Sequence, residues 1–218
     1  MQLLDALEIS HSKNPDSTVI WLHGLGANGY DFEPVVQALN LPATRFVLPH
    51  APTRPITINN GYSMPGWYDL YGLEAGSPQD ESGIRETQSR IEAFIENEVA
   101  RGIEPRRIVL AGFSQGGAIA LHTALRYWAR MGGVMGLSTY LPLKSSLMDE
   151  AEAANRDLPV FIAHGTFDNV IPLNSAQASV ECLQQRGYSV TWREYPMAHS
   201  VCMEEIADIR DFLQSVLK

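Results

Sequence analysis

The sequence predicts an α/β protein with a mostly parallel central sheet and helices on both of its faces. Three observations carry that expectation. Apolar, β-branched runs alternate with segments of helical period along the chain. The runs at 18–22, 108–111 and 158–163 are close to continuously hydrophobic, as strands covered on both faces must be. Each of these runs ends in a turn that contains glycine. The 218 residues, 45% hydrophobic and 19% charged, are enough for one good core, so a single domain over 1–218 is expected.

Taken in order, residues 3–10 read as a first strand at an edge, followed by a turn at Lys13, Asn14, Pro15 and Asp16. Residues 18–22 form a central strand that ends in His23-Gly24-Leu25-Gly26. A helix follows with Phe32, Val35, Val36 and Leu39 on one face. Pro34 sits in its first turn, where the missing N–H does no harm. Residues 44–48 make the next strand, closed by Pro49. The stretch 50–79 is irregular and rich in Pro, Gly, Asn and aromatics, and loops of such length are usually functional or disordered. Its Met64, Trp67, Tyr68, Leu70, Tyr71 and Leu73 argue for order.

Asp80 or Ser82 caps the next helix, in which Ile84, Ile91, Phe94, Ile95 and Val99 keep a helical period until Gly102. The strand 108–111 runs into Gly112-Phe113-Ser114-Gln115-Gly116, and a helix with Ala118, Leu121, Leu125 and Trp128 at helical spacing follows. Residues 133–137 are a short strand, and the polar segment 144–157 reads as an exposed helix or loop. Strand 158–163, helix 174–186 stopped by Gly187, strand 190–195 and helix 204–217 complete the chain.

Composition narrows the function. The net charge is −9 and no basic patch is interleaved with aromatics, which argues against nucleic acid and against an anionic membrane surface as partners. No apolar run has the length of a membrane-spanning helix, and the N-terminal residues lack the pattern of a signal peptide. Cys182 and Cys202 have no metal-ligand spacing and fit reduced thiols in a cytoplasmic protein, with a disulfide allowed but not needed. His11, His23, His50, His122, His164 and His199 form no metal-binding motif, so neither metal nor cofactor is expected.

The chemistry is carried by strand ends. Strand, Gly-x-Ser-x-Gly, helix is the context of a nucleophile elbow, in which a strained turn holds the serine hydroxyl clear of the sheet. Ser114 is therefore the candidate nucleophile. A serine hydroxyl needs a base, and the base needs a partner to hold its tautomer. His199, in a small-residue loop after the final strand, and Asp168, after the strand before it, supply those two groups. The chain order Ser, Asp, His is that of α/β-hydrolases. An oxyanion needs two donors. The amide of Gln115, at a helix N-terminus, is one. The amide of Leu25, between two glycines, is the second. His23 reads as a structural hydrogen-bonding residue.

His23-Gly24-Leu25-Gly26, Trp67-Tyr68-Asp69, Gly112-Phe113-Ser114-Gln115-Gly116-Gly117, Leu137-Ser138 with Tyr140-Leu141-Pro142, His164-Gly165 with Asp168, and His199 occur in that order over nearly the whole chain. In these motifs the chain resembles the carboxylesterase/acyl-protein thioesterase family of small α/β-hydrolases, also described as the phospholipase/carboxylesterase family. The resemblance implies the α/β-hydrolase fold, Ser114, Asp168 and His199 as triad, Leu25 and Gln115 as oxyanion donors, acyl esters or thioesters as substrates, and often a homodimer. Three positions depart from the commonest pattern: Asn28 stands where an acidic residue is frequent, Met64-Pro65-Gly66 precedes Trp67 where an arginine is often found, and Asn169 follows the acid. None of these touches the triad.

The walls of an acyl groove would come from the long loop and from the loop after the central strand, with Trp67, Tyr68, Leu70, Tyr71, Tyr140, Leu141 and Leu173 as candidates. Asp69 is expected to anchor the long loop rather than to act in catalysis. The expected activity is cleavage of short- to medium-chain acyl esters, thioesters included, without a cofactor. The alternatives are an acyl-protein thioesterase or lysophospholipase for long chains, and a hydrolase-fold binding protein without activity.

Overall fold

A computed structural model describes residues 3–73 and 76–218; Glu74 and Ala75, in the stretch expected to be ordered, lie outside the described residues. The elements are β1 (Ala6–Ile9), β2 (Ser17–Leu22), α1 (Glu33–Leu39), β3 (Thr44–Pro49), β4 (Thr53–Ile56), β5 (Tyr62–Pro65), α2 (Glu81–Ala100), β6 (Ile108–Phe113), α3 (Gln115–Arg126), β7 (Gly133–Leu137), α4 (Leu147–Glu150), β8 (Val160–Gly165), α5 (Leu173–Gln184), β9 (Val190–Tyr195) and α6 (Met203–Val216).

Seven strands form the main sheet in the order β1-β3-β2-β6-β7-β8-β9. Only β1 runs antiparallel, against β3; all other neighbours are parallel. Every residue of β2, β3, β7 and β8 is buried, which fits the apolar runs at their centres. Alternate side chains of a strand point to opposite faces. Accordingly Val19 and Trp21 join a core half with Phe32 and Val36 of the α1 side and Ile209 and Phe212 of α6. Ile20 and Leu22 join the other half, built with Ile91 and Phe94 of α2, Leu121 and Leu125 of α3, and Leu183 of α5. Parallel order aligns the carboxyl ends of β2, β6, β8 and β9 on one edge, where ligands of such sheets bind. Asp80 is the cap of α2, its Oδ1 accepting from the Gly83 amide at 3.0 Å. Among the described residues, no helix is long and apolar enough to cross a membrane.

The structure differs from the sequence reading in two places. The stretch 50–79 contains an antiparallel hairpin of β4 and β5, with Thr53 opposite Pro65 and Ile56 opposite Tyr62. Its turn uses Asn60 and Gly61, both at positive φ. Asn-Gly is a hairpin signal, but Pro55 and Pro65 within the flanking runs obscured it; a separate two-stranded ribbon tolerates them because few of its N–H groups are needed. The helix expected to reach Trp128 stops at Arg126, and Trp128 is 69% exposed. The cause is Asn155, whose Nδ2 donates to the carbonyls of Tyr127 and Ala129 while its Oδ1 accepts from Met131 N–H. Asn155 is fully buried within a segment, 144–157, that is otherwise mostly exposed as expected; Leu147 is its other buried residue, and Glu150 pairs with Arg126 at 2.7 Å.

Candidate active site

The turn between β6 and α3 is held in a conformation that residues other than glycine rarely adopt: Ser114 has φ 54° and ψ −122°. Such strain costs about 1–3 kcal/mol and persists only where the surroundings over-determine it. Here the Ser114 N–H donates to Leu137 O at 2.8 Å, and its carbonyl accepts from Thr139 Oγ1 at 2.6 Å. Close approach dictates the flanking glycines. A Cβ on Gly116 would lie 2.3 Å from Leu22 O, and one on Gly112 would lie 2.3 Å from the Gly116 carbonyl carbon.

The loops after β8 and β9 are bound to each other. Thr166 N–H donates to Tyr195 O at 2.8 Å and Phe167 N–H to Met197 O at 3.0 Å. Gly165 allows this crossing, since a Cβ there would come within 2.4 Å of both the Met197 and the Ala198 oxygens. The crossing brings His199 Nδ1 to 2.7 Å from Asp168 Oδ2. The Asp168 side chain is fully buried, and its Oδ1 accepts from Val170 and Ile171 N–H, each at 2.9 Å. His164 lies beneath it. Its Nε2 is 2.8 Å from Ile171 O, which needs a donor, and 3.3 Å from Asp168 Oδ2. Burial lowers the His164 pKa, so the ring is neutral with its proton on Nε2. The His199 ring packs on Phe113, with centroids 4.7 Å apart.

The loop after β2 is pinned by His23. Burial lowers its pKa, and the neutral ring donates from Nδ1 to Gly24 O at 2.7 Å and accepts at Nε2 from Ala51 N–H at 3.0 Å. Gly26 N–H donates to Pro65 O at 2.8 Å, tying this loop to the hairpin. Among the described residues, neither the Leu25 nor the Gln115 amide has a hydrogen-bond acceptor within the protein. Both residues border the same cavity as Ser114 and His199.

That cavity measures about 600 Å³, and its wall includes Phe32, Val35, Ile58, Leu70, Leu73 and Val170. A second space of about 290 Å³ adjoins it. Of the residues expected to line an acyl groove, Tyr68, Leu70 and Tyr140 border both spaces, and Tyr71 and Leu141 border the second. Trp67 and Leu173 border neither. Trp67 is fully buried because its Nε1 donates to His23 O at 2.8 Å, making it a support of the loop after β2 instead of a wall. Asp69 anchors the long loop as expected, accepting from Thr57 N–H at 2.7 Å and from Thr57 Oγ1 at 2.5 Å.

Two features escaped the sequence reading. The Gln115 side chain clamps the long loop, accepting from Trp67 N–H and donating to Tyr68 O, both at 2.8 Å. The signal was a long amide immediately after the elbow serine, where a small residue would have sufficed for the turn. Phe32 and Val35 line the cavity, where the sequence places them only on one face with Val36 and Leu39; a helical period does not tell which part of a face meets a pocket.

The model of a family described as Phospholipase/Carboxylesterase matches residues 5–217. A protein of Cryptococcus neoformans named acyl-protein thioesterase 1 is 38% identical over 234 residues, spanning 99% of this chain and 98% of that protein. The crystal structure of Arabidopsis thaliana SOBER1 superimposes with a TM-score of 0.89 at 32% identity, over 93% of this chain and 99% of that one. That of Zea mays acyl-protein thioesterase 2 gives 0.89 at 25% identity, over 99% and 100%.

Proposed function

The chain belongs to the phospholipase/carboxylesterase family and is a serine hydrolase of esters and thioesters; on that premise we propose that Ser114, His199 and Asp168 work together through an acyl-enzyme. Ser114 Oγ attacks the acyl carbonyl while His199 Nε2 takes its proton. Asp168 holds the proton on Nδ1 and stabilises the imidazolium that forms. The Leu25 and Gln115 amides receive the oxyanion, where preorganised donors contribute most. His199 then protonates the departing alcohol or thiol, and water, activated by the same imidazole, releases the acid.

One contact carries this reading. His199 Nδ1 is 2.7 Å from a carboxylate that is shielded from water and whose other oxygen is occupied by two amides. With Nδ1 committed to Asp168, Nε2 is left as the base. The largely apolar wall of the cavity supports an acyl chain as the bound group. We read the substrates as short- to medium-chain esters and thioesters. The naming of the Cryptococcus relative favours a second reading, the thioesters of acylated proteins; on that reading the acyl chains are long.

The test is hydrolysis of p-nitrophenyl esters and acyl thioesters by wild type and Ser114→Ala, beside labelling with a fluorophosphonate. Serine-dependent turnover and labelling are expected, with kcat falling by about 10⁶-fold in the variant. Near-normal hydrolysis by Ser114→Ala would overturn the assignment.

A further inference from the structure

The direction of the acyl chain follows from the chemistry. His199 must hand its proton to the leaving atom, so the leaving group faces His199 and the acyl chain points away from it. His199, Ser200 and Val201 occupy one part of the wall of the 600 Å³ cavity. Another part of that wall is made by Tyr68 and Tyr140.

These two tyrosines are paired. Their hydroxyl oxygens are 2.8 Å apart, one donating to the other, although the residues are 72 positions apart in sequence. Tyr68 is 1% exposed and Tyr140 is partly buried. Each backbone is tied to the elbow. Gln115 Nε2 donates to Tyr68 O, and Thr139, beside Tyr140, donates to Ser114 O. Next to Tyr140, Leu141 N–H donates to Ser179 Oγ at 2.9 Å, which fixes the pair from behind. The rings are thus held in place relative to the nucleophile.

The space of about 290 Å³ also borders Tyr68, Leu70, Leu73, Tyr140 and Ile171, so these residues form a wall common to the two volumes. Within that common wall the hydroxyl pair is the polar element. Each buried hydroxyl is the other's partner, and parting them to admit methylenes would leave polar groups facing hydrocarbon.

We propose that the hydrogen-bonded Tyr68–Tyr140 pair is the length stop of the acyl site, and that the space behind it receives the end of an acyl chain only when this pair is removed. The proposal rests on Ser114 being the nucleophile. The pair then decides between the two substrate readings: it sets an upper chain length that the size of the two spaces together would not.

The experiment is kcat/KM against acyl length for p-nitrophenyl esters below their aggregation limits, with wild type, Tyr140→Ala and Ser114→Ala. Each methylene that finds a buried place improves kcat/KM by about fourfold. The wild-type profile is expected to climb and then break where the terminal methyl meets the pair. In Tyr140→Ala the break moves by two or more methylenes, which raises the ratio of longer to shorter substrates by about tenfold or more over wild type. An unshifted break in a folded Tyr140→Ala overturns the proposal while leaving Ser114-dependent activity intact. Absence of Ser114-dependent hydrolysis at every length removes the nucleophile itself. A crystal structure of wild type carrying a dodecyl phosphonate on Ser114 tests the stop without any substitution in the wall. The chain is expected to end against the two hydroxyls or fold back before them; alkyl density in the second space past an intact pair would overturn the proposal.

Discussion

Asp168→Asn tests the proton arrangement of the site most directly. Asparagine matches aspartate in size, so the loop after β8 keeps its shape, but the two terminal atoms are no longer alike. Oδ1 of Asp168 accepts from Val170 and Ile171 N–H, both at 2.9 Å. The asparagine oxygen must take that place, because an NH₂ group there would confront two donors. Its NH₂ then stands where Oδ2 lies 2.7 Å from His199 Nδ1. A donor at that position makes Nδ1 the acceptor and moves the imidazole proton to Nε2, the atom that has to accept from Ser114. The His164 Nε2–H, 3.3 Å from Oδ2, is a further donor on the same side and gives no relief. The expected loss in kcat is about 10⁴-fold, the effect of the same tautomer error in a serine-protease triad, equivalent to about 5.5 kcal/mol of barrier. The assay is p-nitrophenyl butyrate hydrolysis by wild type and variant, with thermal unfolding to establish that the variant is folded. A loss below about 100-fold in a folded variant would refute the argument that Asp168 sets the tautomer.

Gln115→Leu keeps the amide proposed for the oxyanion but removes the clamp on the long loop, leaving Trp67 N–H and Tyr68 O buried without partners. Each such group costs about 1–3 kcal/mol, so Tm should fall by several degrees in a calorimetric scan, together with a lower kcat; an unchanged Tm would show that the clamp carries no weight. Glu205 is fully buried in the first turn of α6, both its oxygens lack partners, and burial raises its pKa from 4.5 to about 8. Between those values the folded state holds a proton that the unfolded chain has lost, so stability falls as pH rises through that window, by up to about 1.4 kcal/mol per pH unit. Urea unfolding from pH 5 to 8 should show this slope in wild type, and Glu205→Gln should flatten it. Equal slopes in the two proteins would exclude Glu205 as its source.

The features legible in the sequence are those that a few neighbouring residues determine. Continuous apolar runs marked β2, β6 and β8 as buried strands, because a parallel sheet covered on both faces leaves no polar side. Gly112 and Gly116 marked the elbow, since the approach of Leu22 O and of the Gly116 carbonyl excludes a Cβ. Asp168 and His199 were legible because each follows a strand, and parallel order carries strand ends to one edge. The tertiary structure alone decided what those residues face. Asn155 ends α3 by bonds that no local pattern encodes, since Tyr127 lies 28 positions away. Gln115 meets Trp67 across 48 positions, and Tyr68 meets Tyr140 across 72. Phe32 and Val35 share the helical spacing of Val36 and Leu39 yet border the cavity, and Trp67, an aromatic in a loop beside the site, is sealed behind it. Periodicity fixes the side of an element on which a side chain lies; whether that side meets packed neighbours, a partner hydroxyl or an open cavity depends on segments distant in the chain.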